Sequence, residues 1–66
     1  MNSMADDPTI RIWIINRIRE ALDQADLARA LANDIDDHVL AAATRRLAED
    51  LEAFARRFAT RLQHLR

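Results

Sequence analysis

The sequence predicts an all-α protein, a helical hairpin with a long C-terminal helix that dimerises into a four-helix-type bundle. The 66-residue chain has no glycine and one proline, Pro8, so it is poor in the residues that β-turns need. Thirteen alanines and eight leucines favour helix. The most direct observation is a line of apolar residues at helical spacing in the C-terminal half, described below.

The first helix is predicted to begin at Pro8 and to end near residue 32. Residues 1–7 are expected to form a flexible tail ahead of a single helical domain over residues 8–66, with Asp7 as the helix cap. Ala28 and Ala32 are small residues on one helix face, which would let a second helix approach closely. Two apolar stripes at helical spacing predict contacts with two neighbours: Ile10, Ile14, Ile18, Leu22 and Ala25 form one, and Leu27, Leu31 and Ile35 form the other.

Residues 9–15 also permit a different interpretation, because they are rich in β-branched residues and partly alternate. If they form a strand, the order strand–helix–helix resembles that of the ribbon-helix-helix repressors. The resemblance implies a dimeric DNA-binding regulator in which Thr9, Arg11 and Trp13 of the strand face the major groove. The sequence departs from that family in lacking the glycine usual in the turn between the helices.

The break between the helices is predicted at residues 33–38, the only interior cluster of turn-forming residues. Asp34 or Asp36 is expected to cap a second helix running from about residue 36 to 65, because a carboxylate there accepts backbone N–H groups and suits the helix dipole. Without glycine, the connection must be tight or merely a kink.

The second helix carries the most regular apolar stripe of the chain. Its spacing averages about 3.6 residues, the period of an α-helix. A helix of this length extends ~45 Å, too far to bury its stripe against one short neighbour. We therefore expect a homodimer in which self-association involves Leu40, Leu47, Leu51, Phe54, Phe58 and Leu62; Ala43 and Leu65 complete the stripe.

Charges are segregated along the sequence, with arginines near both ends and acids in the middle. Within the second helix, Arg45 with Glu49, Arg46 with Asp50, and Glu52 with Arg56 have the spacing of intrahelical ion pairs. The candidate residues for contact with a different protein are the one tryptophan and three arginines of the second helix: Trp13, Arg56, Arg57 and Arg61.

Catalytic chemistry has little support in the sequence. The chain has no cysteine, lysine or tyrosine, its one serine is Ser3, and no glycine is available for a phosphate-binding loop. We therefore predict no catalytic residue, no metal site and no cofactor, and hence no enzyme. The apolar stretch at residues 10–18 is too short to span a bilayer, so no membrane partner is expected and a cytoplasmic location is the default.

The function these features predict is a small helical protein–protein interaction module. Such a regulator, adaptor or inhibitor would bind an unidentified protein as a homodimer, with nucleic acid as the less favoured partner. Arginine supplies every basic side chain, which suggests the codon usage of a GC-rich bacterial or phage genome.

Overall fold

The protein is an antiparallel hairpin of two α-helices, α1 (Pro8–Asn33) and α2 (His38–His64). The structure is a computed structural model, and it describes residues 8–64. It confirms the predicted helical hairpin, with helix ends within two residues of those expected. The predicted tail at residues 1–7, its Asp7 cap and Leu65 lie outside the described residues. The molecule measures 56 × 15 × 12 Å.

The strand interpretation of residues 9–15 is wrong, since these residues belong to α1 and no strand occurs within residues 8–64. Ile14 is buried against α2, and Ile10 and Ile18, one turn before and after it, are half-buried. Packing along this line outweighs the β propensity of the individual residues, which is a context-dependent preference. Ile12 points away from α2 and is exposed.

Alanine forms nearly all of the core between the two helices. Apart from Ile14, every buried side chain within residues 8–64 is an alanine methyl group. The α2 alanines are spaced by seven residues, the repeat that keeps one side of a helix facing its neighbour. The prediction that Ala28 and Ala32 line a close helix contact is confirmed, and they belong to this set: Ala21, Ala25, Ala28, Ala32, Ala41, Ala48 and Ala55.

The turn is tight and uses no left-handed residue, since no positive φ occurs within residues 8–64. The N–H groups of Asp34 and Ile35 donate to the carbonyls three residues earlier, at 3.0 and 3.3 Å, and tighten the end of α1. The predicted caps, Asp34 and Asp36, are wrong. Asp37 caps α2 instead: its Oδ1 accepts the N–H groups of Val39 at 2.9 Å and Leu40 at 3.0 Å.

One ion pair joins the helices on the flank opposite the apolar stripe. The Arg29 guanidinium donates two hydrogen bonds to the Glu52 carboxylate, Nη1 to Oε2 and Nη2 to Oε1, the latter at 2.7 Å. This bidentate geometry is the strong form of an arginine–carboxylate contact. The hydrogen bond from Arg29 lowers the pKa of Glu52 and, reciprocally, raises that of Arg29.

Three intrahelical pairs were predicted in α2, and their outcomes differ. Arg45 and Glu49 form no ion pair. Arg46 and Asp50 do pair, at 3.8 Å. Glu52, expected to pair with Arg56, directs its carboxylate to Arg29 of α1 instead. Arg56 contributes only a weaker electrostatic attraction that also lowers the Glu52 pKa.

Candidate self-association surface

The apolar stripe of α2 does not coincide with its contact to α1. Ala41 and Ala48 are buried between the helices, whereas Leu40 and Leu47, each one residue earlier, remain 55% and 54% exposed. Successive helical residues differ in direction by about 100°. The leucines therefore lie on the flank of the hairpin, and their side chains have no enclosing neighbour within residues 8–64.

The middle of the stripe is shared between the hairpin core and the surface. Leu51 packs against the alanine cluster of Ala25, Ala28 and Ala48 while remaining half-buried. Phe54 and Phe58 are also half-buried, with ring centroids 4.7 Å apart and ring planes inclined at 64°. This edge-on arrangement is favourable for aromatic rings. Leu62 is likewise half-buried.

Helix α1 contributes one side of the same surface. A groove between the helices brings Leu51 and Phe54 of α2 beside Arg17 and Gln24 of α1; Glu20 and Ala21 complete its lining. Leu31 follows Gln24 by seven residues and therefore lies on the same flank of α1. It is 51% exposed.

Helical spacing places these side chains on one flank of the hairpin, which we call the leucine–phenylalanine face. Leu40, Leu47 and Phe54 recur at seven-residue spacing on α2 and therefore share one side of that helix. Leu31 lies on the side of α1 that borders Phe54, so Leu31 and Leu40 are on the same side of the hairpin, near the turn. Sequence reasoning assigned Leu31 to a separate stripe, because the relative placement of two helices is not a local property. The members of the face are Leu31, Leu40, Leu47, Leu51, Phe54, Phe58 and Leu62.

The accessible surface of the protein is larger than that of a compact monomer of the same mass. A compact monomer of 7.6 kDa has ~4,300 Å² of accessible surface, whereas this chain has 5453 Å². Burial is worth about 1.5–3 kcal/mol for a leucine or phenylalanine side chain but only ~0.8 kcal/mol for a methyl group. The hairpin therefore buries mainly alanine methyl groups and leaves most of its large apolar side chains half-buried or exposed.

The structure separates the four residues predicted to contact another protein. Trp13 is 56% exposed, with the Arg17 guanidinium carbon 5.8 Å from the centroid of its ring. Arg57 and Arg61 line an open groove with Phe54 and Phe58, beside the leucine–phenylalanine face. Arg56 lines a different groove, on the side of the hairpin that carries Glu52; its other members are Ile18, Leu22, Ala55 and Ala59.

The antiparallel fold converts the charge pattern of the sequence into a charge gradient along the molecule. Both basic segments meet at the end away from the turn, which we call the open end and define as residues 8–20 and 53–64. It holds six arginines against the single acid Glu20. The turn end, residues 21–52, holds eight carboxylates against three arginines. These counts cover the described residues.

No described group of residues forms a metal site, since no three His, Asp or Glu side chains of residues 8–64 converge on a common point. Neither α1 nor α2 is long and apolar enough to cross a membrane. Comparison of the chain with protein-family models, with curated proteins and with solved structures found no match in any of the three.

Proposed function

We propose that this protein is a homodimeric helical interaction module that regulates, recruits or inhibits another protein by binding it. The observation that carries the proposal is that Leu31, Leu40 and Leu47 of the leucine–phenylalanine face are more than half exposed, beside a core made almost wholly of alanine. A hairpin of two helices has one interhelical contact to bury, whereas a four-helix bundle encloses a second side of each helix. A second copy supplies the cover that the first lacks.

The dimensions of the molecule support association as a source of stability. The Cα radius of gyration is 15.5 Å, whereas a compact 66-residue domain has about 11 Å. Chains of this size usually need disulfides, a metal or a partner chain to complete their stability. The sequence has no cysteine, and pairing along the leucine–phenylalanine face adds apolar burial without further chain length.

Contact with a different protein is assigned to the arginine-rich open end. Trp13, Arg56, Arg57 and Arg61 combine an exposed aromatic ring with guanidinium groups, and these residue types dominate binding energy at protein interfaces. The chemistry fits an acidic surface on the partner. In this proposal the two copies associate through the leucine–phenylalanine face, and the open end binds the different protein.

The dimer is tested by changing the exposed leucines and measuring mass by light scattering across micromolar concentrations. The double variant Leu40→Gln, Leu47→Gln should be monomeric where the parent is dimeric. Ile12→Gln is the matched control, since Ile12 is 58% exposed but lies on the outer side of α1. Loss of dimer in both variants, or in neither, would contradict the assignment of the face.

A further inference from the structure

We infer that the second copy lies antiparallel to the first, with the open end of each hairpin against the turn end of the other. This inference rests on the proposed dimer, and it deepens that proposal by fixing the orientation of the partner. Two features of the molecule support this inference. One is the charge gradient along the hairpin, and the other is that the midpoint of this gradient coincides with the midpoint of the apolar stripe of α2.

The charge gradient distinguishes the two orientations. Within residues 8–64 the open end carries six arginines and one acid, while the turn end carries eight carboxylates and three arginines. A parallel dimer would place the two arginine-rich ends side by side, and the two acidic ends likewise. An antiparallel dimer places opposite charge together at both ends. Packed helices lie 8–10 Å apart, close to the screening length of ~10 Å at 0.1 M salt, so charges that border the face interact across the interface.

The midpoint of the charge gradient coincides with the midpoint of the apolar stripe. Leu51 is equidistant in sequence from Leu40 and Leu62, and the last acid of α2 is Glu52, directly after it. A two-fold axis crossing the face at Leu51 therefore brings the apolar stripe of one α2 against that of the other along the length of the helix. Leu40 then lies near Leu62 of the second copy.

The two ends of the face are also complementary in shape and charge. Near the turn it consists of branched aliphatic side chains, Leu31, Leu40 and Leu47, beside the acidic connection at residues 34–37. Toward the open end it consists of the edge-packed Phe54 and Phe58, flanked by Arg57 and Arg61. In the antiparallel dimer the phenylalanines approach the leucines of the second copy, and Arg61 lies near the level of its acidic turn.

The orientation is tested by cysteine cross-linking, for which the cysteine-free chain provides a clean background. An equimolar mixture of Leu40→Cys and Leu62→Cys should give the mixed disulfide on oxidation. Leu40→Cys alone should give none, because its two copies are separated by 22 residues along antiparallel helices, or ~33 Å. Self-linking of Leu40→Cys without a mixed product would overturn the antiparallel assignment and leave the dimer intact.

A second measurement avoids any change to the face itself. Ala42 and Glu49 are exposed and seven residues apart, so spin labels at these positions point in the same direction from α2. A parallel dimer gives similar interchain distances for both labels. The antiparallel dimer adds an axial separation of ~27 Å at residue 42 and only ~6 Å at residue 49. Equal distances would overturn the orientation. The absence of any interchain signal, with a mass of one chain, would instead overturn the dimer.

Discussion

Leu47 and Ala48 are adjacent in the sequence, yet Ala48 is completely buried between the helices and Leu47 is 54% exposed. The smaller side chain occupies the helix contact because its methyl group lets the two backbones approach closely. The larger one is directed to the flank, where only a further helix could enclose it. The same arrangement recurs one heptad earlier, where Ala41 is buried and Leu40 is exposed.

Enlarging the side chain at the helix contact should destabilise the hairpin. Ala48→Leu places three additional carbon atoms where no space exists, so we expect a loss of ~1–3 kcal/mol in the free energy of unfolding. Urea denaturation followed by far-UV circular dichroism measures this loss. Ala42→Leu is the control, since Ala42 is exposed and its substitution should change stability by less than about 0.5 kcal/mol. Equal effects would show that the contact is not tightly packed.

The Arg29–Glu52 pair should contribute more to stability than an ordinary surface pair. It forms two hydrogen bonds between the helices, whereas Arg46 and Asp50 lie 3.8 Å apart with side chains 77% and 69% exposed. We expect Glu52→Gln to lower the urea midpoint by more than Asp50→Asn. A larger loss for Asp50→Asn would contradict the structural role given to the interhelical pair.

The same pair should produce a defined dependence of stability on pH. Arg29 lowers the pKa of Glu52 below its ordinary value of 4.5, so the ionised carboxylate stabilises the folded state. This contribution is complete above pH 4.5 and is lost as the pH falls through the lowered pKa. Urea midpoints of the parent and Glu52→Gln, measured from pH 7 downward, should differ at neutral pH and converge in acid. A difference that is constant or grows on acidification would refute the linkage.

The cap of α2 provides a prediction independent of packing. Asp37→Ala removes the acceptor of two backbone N–H groups and should cost ~0.5–2 kcal/mol. Asp36→Ala is the neighbouring control, which should cost less because the two hydrogen bonds remain. Thermal unfolding of both variants measures the difference. A greater loss for Asp36→Ala would restore the cap expected from the sequence.

Sequence patterns predicted the two helices of this fold better than the contacts between the helices. The ends of both helices followed from Pro8, from the polar turn at residues 33–38 and from the apolar stripe of α2. The line containing Ile14 was visible as a periodicity, although β-branched residues at 9–15 also permitted a strand. Local patterns of this kind depend only on spacing along the chain.

Relations across the hairpin could not be derived in the same way. Arg29 and Glu52 are 23 positions apart, and neither shows a local signal that identifies the other. The stripe of α2 indicated a buried face, but it could not show that Ala41, Ala48 and Ala55 would take the contact with α1 and leave Leu40 and Leu47 outside. The relative rotation of the helices decides this, because small residues permit a closer approach than leucines do.

The dependence of thermal stability on protein concentration tests the central claim most directly. If the leucine–phenylalanine face is covered by a second copy, association stabilises the folded state by mass action. The unfolding midpoint, followed by far-UV circular dichroism, should then rise steadily as the chain concentration increases from micromolar to hundreds of micromolar. A midpoint independent of concentration, with light scattering giving the 7.6 kDa mass of one chain throughout, would show that the hairpin is stable alone.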